Sequence, residues 1–265
     1  EDLNGLPGLI MLAFGLIAGI VGGLLGIGGC SIMLPALYFL FNYDLPVAIG
    51  TTITAVIITA LSGAVAHMRM RNVDYETTAI IAASGGLGAI AGSLAFEYLV
   101  RRADLLNMII GLAFLYTSAR MVYEGMRRQP GVPSAGSPGK VPGPMTHKGV
   151  IGLVVGVLTG IVGLGGGYAL VPSFIYLLRS PVKIAVGTSL ASFIVMSLIS
   201  AGFKLIGGHV DPVAAILLGA GTAVGAQFGA RLVPRTPSWM IKLLFGLIFL
   251  YVSLRFVLRA FGVVV

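Results

Sequence analysis

Residues 22–35 read GGLLGIGGCSIMLP, and residues 159–172 read TGIVGLGGGYALVP. Each is a run of glycines inside an apolar stretch, closed by a proline. Glycine costs roughly 1 kcal/mol against alanine inside a helix, so each run breaks a helix near its middle. The first stretch, 8–41, is too long for one straight crossing of a ~30 Å hydrocarbon core, which takes about 20 residues, and too short for two. Limbs of about 14 and about 12 residues would reach ~21 and ~18 Å. Each would pass the midplane and neither would need to exit. These lengths predict a re-entrant hairpin that enters and leaves on one side.

The two glycine runs belong to a longer repeat. A shift of 137 positions places Gly15, Gly19, Gly23, Gly26, Gly28, Gly29 and Pro35 on Gly152, Gly156, Gly160, Gly163, Gly165, Gly166 and Pro172. It also places Gly50-Thr51-Thr52 on Gly187-Thr188-Ser189, Val73-Asp74 on Val210-Asp211, and Gly88, Ala89 and Gly92 on Gly225, Ala226 and Gly229. After a two-residue slip, the stretch from Gly111 to Arg120 falls on that from Gly246 to Arg255. One register kept through four successive elements marks a duplication.

Outside the runs, the chain is apolar along its whole length. Hydrophobic residues make up 57% and charged residues 10%, against about a quarter charged in soluble domains. That excludes a soluble protein and predicts a multi-pass protein with the lipid bilayer as its solvent. The formal charge of +8 does not point to nucleic acid, because the basic residues sit in short loops, where they set orientation. The single cysteine, Cys30, excludes an intrachain disulfide. Residues 8–25 do not read as a cleaved signal, since their pattern returns later in the chain.

The expected organisation is a first transmembrane repeat over 1–124, a linker over 125–148 and a second repeat over 149–265. The linker reads GMRRQPGVPSAGSPGKVPGPMTHK, a Pro/Gly/Ser composition that buries no core and tethers the halves. Spans are expected at 46–66, 77–98 and 104–124, then at 183–206, 212–231 and 238–260. Asp74 and Asp211 are expected to cap the third element of each half, with Pro212 at the first helical position.

Charges in the loops orient the chain. If both broken segments are re-entrant, each half crosses three times and the second half is inverted. One side then holds ten basic residues: Arg69, Arg71, Arg127, Arg128, Lys140, Lys148, Arg179, Lys183, Arg231 and Arg235. The other holds five: Arg101, Arg102, Lys204, Arg255 and Arg259. Full crossings would divide the same residues nine to six. The positive-inside rule favours the inverted arrangement, with both termini outside and the linker cytoplasmic. The fold expectation is therefore an all-α integral membrane protein of two inverted-topology repeats. Each repeat is a Gly-broken re-entrant segment plus three transmembrane helices.

The pattern G-[IL]-G-G-[GC]-x-x-x-[LV]-P, at 26–35 and 163–172, is followed by A-[IV]-G-T-[TS] at 48–52 and 185–189. This motif pair resembles the TauE/SafE family of sulfite and organosulfonate exporters, over essentially the whole chain. The resemblance implies a secondary transporter in the cell membrane. Its expected substrates are sulfite, thiosulfate, sulfoacetate or related organosulfonates, and it implies Gly28, Gly29, Gly165, Gly166 and Gly167 as hinge glycines. Cys30 departs from the pattern, standing where the second half has Gly167.

Broken helices in inverted repeats form a transporter site near the midplane. Half-helices starting at Cys30-Ser31 and Gly167-Tyr168 would aim N–H groups and positive dipole ends at an anion. Close helix packing through small residues is the competing reading of the same glycines. Thr51, Thr52, Thr188, Ser189 and Ser192 add hydroxyls beside the breaks, and Thr54 stands near the counterpart of Ser192. They too have a bland reading, as bonds to their own backbone. Arg120 and Arg255 are expected to serve structure near helix ends. Lys204 fits either a snorkelling cation or one that attracts anions to a mouth. His67 and His209 are expected in loops. No catalytic constellation, metal spacing or cofactor motif is present in the sequence, so no enzyme is expected. No carboxylate lies deep in a predicted span, so export down the membrane potential needs no coupling proton. A channel-like pore or an importer of a related anion is the alternative, and a homo-oligomer stays open.

Overall fold

The computed structural model describes residues 5–25, 29–127, 139–163, 166–232 and 238–262. Among these the chain forms ten α-helices and one π-helical turn, with no strand. The first half gives α1 (Gly5–Leu25), α2 (Cys30–Phe39), α3 (Leu45–Arg69), α4 (Tyr75–Leu99) and α5 (Ala103–Met126). The second gives α6 (Met145–Val162), α7 (Gly166–Pro172) with the π turn Ser173–Leu177, α8 (Val182–Ile206), α9 (Pro212–Leu232) and α10 (Ser238–Ala260). Six of these are long and apolar enough to cross a membrane: α3, α4, α5, α6, α8 and α9.

Both helix breaks fall where the glycines stand. Gly29 takes a left-handed φ of 74° as the residue before α2, and Gly163 takes 66° as the residue after α6. The Gly163 N–H closes onto the Thr159 carbonyl at 2.9 Å, the simple left-handed helix stop. The first limbs are longer than the glycine spacing suggests. α1 has 21 residues and α6 has 18, so they reach about 31 and 27 Å. α1 starts before residue 8 and continues through Gly22 and Gly23, and α6 continues through Gly160, which packs on Ala89 and Gly92 of α4. The return limbs are 10 residues in α2 and 12 over α7 and its π turn. The π turn follows directly on Pro172, where the missing proline N–H has already interrupted the ladder.

The helices fall into two compact units that cut across the repeats, each drawing equivalent elements from both halves. In the larger unit α3 and α8 run antiparallel. Near its start α3 places Gly50 against the His209 carbonyl just past the end of α8, and α8 places Gly187 against the Asn72 carbonyl just past the end of α3. A Cβ at either glycine would overlap that carbonyl, so the GT motif is a packing requirement. α1 lies parallel to α9, with Gly15 on Leu218 and Gly221, and Gly19 on Thr222. α6 lies parallel to α4 in the same way, with Gly152 on Ile81, Gly156 on Gly85, and Gly160 on Ala89 and Gly92. These are small-residue seams of the kind that let membrane helices pack backbone to backbone.

The smaller unit includes α5 and α10, which run antiparallel. Gly111 sits on Ser253 and Val257, and Gly125 on Leu243. Ser253 donates to the Gly111 carbonyl at 2.8 Å, and Phe114 packs on Phe249 and Phe256. Outside both units' helices, the linker residues 139–144 approach α4. Val141 is buried and its N–H donates to Asp74 Oδ2 at 3.0 Å. The linker's last residues, from Met145, already belong to α6.

Candidate functional site

The two aspartates behave as the sequence predicts and also tie the halves together. Asp74 Oδ1 accepts from the Thr77 N–H at 3.3 Å, and Asp211 Oδ1 accepts from Val213 and Ala214 N–H at 3.0 Å each. Each is an N-cap. Their own N–H groups reach the opposite half. Asp211 donates to Thr51 Oγ1 and Asp74 to Thr188 Oγ1, both at 3.0 Å. Thr51 and Thr188 are equivalent in the repeat, as are the two aspartates. The same bond is made twice, exchanged between halves.

The surroundings of the two caps differ. Asp211 Oδ2 receives the Tyr43 hydroxyl at 2.8 Å. Burial, the hydrogen bond to Asp211 and its negative charge push the Tyr43 phenol up to about 12. Asp74 Oδ2 receives the Thr77 hydroxyl at 2.6 Å and the Val141 N–H, and Lys148 Nζ donates to Thr77 Oγ1 at 2.8 Å. Burial alone would raise the Asp74 carboxyl. The bonds from Thr77 and Val141 and the nearby Lys148 charge outweigh it and hold Asp74 below its ordinary value. Lys140 and Glu76 pair at 3.4 Å on the exposed side of this junction.

Near the breaks, the chain doubles back. Gly29 abuts the Ala18 carbonyl, and a Cβ there would stand 2.9 Å from it. Past the end of α2, Phe41 meets Phe14 of α1 edge to face at 5.8 Å. Cys30 opens α2 with Ser31 in its first turn, and Gly166 opens α7 with Gly167 and Tyr168 behind it. Gly28 and Gly165 lie outside the described residues.

The hydroxyls of Thr51, Thr52, Thr188, Ser189 and Ser192 are fully buried. Thr51 and Thr188 accept the inter-half bonds just described. Ser189 donates to the Val186 carbonyl at 2.9 Å and Ser192 to the Thr188 carbonyl at 2.7 Å, so both satisfy their own helix. Thr54 does the same with Gly50. Thr52 Oγ1 is different, being buried with no hydrogen-bond partner. A buried polar atom left unpaired is costly.

The cations also sort differently from expectation. Arg120 pairs with Glu124 at 3.1 Å and donates to the Tyr116 hydroxyl, and Arg255 lies over the Tyr251 ring, as structural residues would. His67 falls inside the last turns of α3, whereas a loop was expected. Lys204 neither snorkels nor stands at a mouth. It is 0% exposed, and its Nζ donates to the Gly160 carbonyl at 2.6 Å and to Ser200 Oγ at 2.9 Å. Nothing local in the sequence marks that burial. The one available sign is that its repeat counterpart, His67, is also ionisable. Among the described residues no group of three His, Cys, Asp or Glu side chains is placed to hold a metal.

With apolar spans, paired helix breaks and a duplicated frame in place, the similarity to known proteins becomes specific. The family described as Sulfite exporter TauE/SafE matches residues 11–256. The chain belongs to the TauE/SafE sulfite exporter family. It is a multi-pass membrane transporter, and the family is one of transporters rather than enzymes. Among its relatives is the Bacillus subtilis protein named "Probable membrane transporter protein YunE", 28% identical over 94% of this chain and 97% of that protein. A second, "Probable membrane transporter protein YdhB" of the same organism, is 25% identical over 88% of this chain and 93% of its own. A "Probable membrane transporter protein" of Xylella fastidiosa is 27% identical over 96% of both. No solved structure matches the chain.

Proposed function

We propose that this TauE/SafE protein exports a small sulfur-containing anion, such as sulfite, thiosulfate or an organosulfonate, across the cytoplasmic membrane. The anion is held where the two broken segments face each other. The observation that carries this reading is the pair of chain returns, each followed by a fresh helix start at Cys30 and at Gly166. Helix starts present unpaired N–H groups and a positive dipole end, which suit an oxyanion. Thr52 Oγ1, buried and unpaired, supplies a hydroxyl with capacity for a ligand. Gly28, Gly29, Cys30, Ser31, Gly165, Gly166, Gly167, Tyr168, Ser189 and Ser192 complete the proposed lining, with Thr51 and Thr188 holding the frame.

Contacts in the larger unit support inverted repeats and re-entrant hairpins. α1 runs parallel to α9, so it enters from the end where α9 starts. Tyr43, just past α2, bonds Asp211 at that same end, so both limbs open on one side. α6 lies along α4 through the Gly152 to Gly160 seam, and Gly143 just before α6 meets Leu178 just past the π turn that ends the second limb, so these two limbs also open together, at the end where α4 starts. Because α3 and α8 are antiparallel, those two ends are opposite. The ten-to-five distribution of basic residues then favours a cytoplasmic linker with both termini outside. Export needs no gradient beyond the membrane potential, worth about 2.3 kcal/mol per charge per 100 mV.

The test is ligand-induced thermal stabilisation of the purified protein, with sulfite, thiosulfate, sulfoacetate, sulfate, phosphate and acetate compared at matched ionic strength. The expected result is selective stabilisation by a sulfur oxyanion that is lost in Gly166→Leu and Thr52→Val. Equal response to every anion, or to none, with the variants unchanged would contradict the site.

A further inference from the structure

Lys204 stands in α8, two residues before its end, with its whole side chain buried. An ionisable group inside a membrane protein is costly to keep and marks function more often than not. Its ammonium lies on the Gly160 carbonyl of α6. Gly160 belongs to the last turn of α6, before the left-handed stop at Gly163. The last four carbonyls of a helix have no donor in their own helix, and they carry the negative end of its dipole. Thr159 is served by the Gly163 N–H, and Gly160 is served by Lys204.

This placement bears on any anion at the break. The first limb of a broken helix ends in carbonyls, which repel negative charge, and the return limb begins in N–H groups, which attract it. An ammonium on the carbonyl end removes the repulsive half of that pair. Two hydroxyls accompany it. Ser200 donates toward the Thr159 carbonyl at 3.4 Å, and Thr159 Oγ1 is itself buried without a hydrogen-bond partner. At the matching positions of the first repeat His67, Gly63 and Gly22 replace Lys204, Ser200 and Thr159, while Gly23 matches Gly160.

We infer that Lys204 is a positioning residue for the transported anion, making the break between α6 and α7 electrostatically positive and drawing the anion to the second repeat. The inference rests on the anion-export reading above. It goes further in assigning the charge that attracts the substrate to one residue and to one of two otherwise equivalent breaks.

Thermal stabilisation titrations with thiosulfate and with sulfite, against chloride at matched ionic strength, test this on wild type, Lys204→Gln, Lys204→Met and Lys204→Arg. Gln keeps a donor for Gly160 and removes the charge, Met removes both, and Arg keeps the charge. The expected result is a midpoint raised at least tenfold in Gln and Met and within threefold of wild type in Arg. A purely structural lysine would lower the melting temperature without ligand and leave the midpoint where it was. That outcome, in either neutral variant that purifies folded, overturns the inference while leaving anion export standing. A wild-type protein that no anion stabilises overturns both readings.

Discussion

The two halves of the larger unit are alike in what frames them and unlike in what charges them. Thr51 with Asp211 repeats Thr188 with Asp74 at the same 3.0 Å. Gly50 on His209 repeats Gly187 on Asn72, and the α1–α9 seam repeats the α6–α4 seam. Beyond that threonine–aspartate pair and the two caps, the polar groups do not repeat. Thr59 meets Thr222 at 2.6 Å, while at the matching place Met196 packs on Gly85. Asp211 is held by a tyrosine and Asp74 by the linker backbone. Lys204 is buried against α6 and its counterpart is a histidine. Duplication preserves the contacts that each half needs from the other, because changing one would break a shared interface. Groups outside those shared contacts are under no such constraint, and here they have diverged.

The bluntest way to break the comparison is topological. In a Cys30→Ser background, single cysteines at Met145 and Arg179 bracket the second broken segment, and one at Asn42 follows the first. A membrane-impermeant maleimide should label 145 and 179 from one face and 42 from the other. A segment that crosses fully would separate 145 from 179. Next in size are Gly50→Leu and Gly187→Leu, each of which drives a side chain into a backbone carbonyl that cannot yield. Each should cost about 3 kcal/mol or more, at the top of the overpacking range, and the two losses should be similar. Folded yield and melting temperature read this. A large effect at only one of them would contradict a shared frame.

The unlike clasps should separate by pH. Asp74→Asn should cost about 1.5–3 kcal/mol, since bonds to a charged group are lost. Tyr43→Phe should cost about 1 kcal/mol. The Asp74 carboxyl is held below its ordinary value of 3.8, so its contribution is full above that value and is lost as pH falls through the lower folded one. The Tyr43 phenol is raised from 10.0 to about 12, so its contribution is full below pH 10 and is lost as pH rises toward 12. Stability profiles of each variant against wild type should converge in acid for Asp74→Asn and in alkali for Tyr43→Phe. The smallest effect sharpens the likeness. Thr51→Val and Thr188→Val should each cost about 1 kcal/mol, the worth of one hydrogen bond, and equally so.

Much of this frame is legible in the chain. The spans expected at 183–206 and 212–231 emerge as Val182–Ile206 and Pro212–Leu232, because hydrophobic runs bounded by Pro181, the Gly207-Gly208 pair and the Asp211 cap leave little freedom. Self-similarity marks which elements are equivalent. It cannot say which of them touch. That Thr51 serves Asp211 rather than Asp74 is a contact across 160 residues, invisible to periodicity. The limb lengths differ from expectation for a related reason. Gly22, Gly23 and Gly160 open the glycine runs and look like breakers, yet the helices continue through them, and the facing backbone of α4 that makes Gly160 a seam residue is not legible in the chain. Lys204 reads as a helix-end cation because its distance from the membrane surface is legible and its partner on α6 is not.

The most direct test of the account as a whole is flux through the purified protein in proteoliposomes. Thiosulfate or sulfite should leave the vesicles saturably, faster under an imposed potential that is negative inside, and without a proton gradient. Flux that required a proton gradient and ignored the potential would contradict potential-driven export, and flux that never saturated would contradict a binding site at the paired breaks.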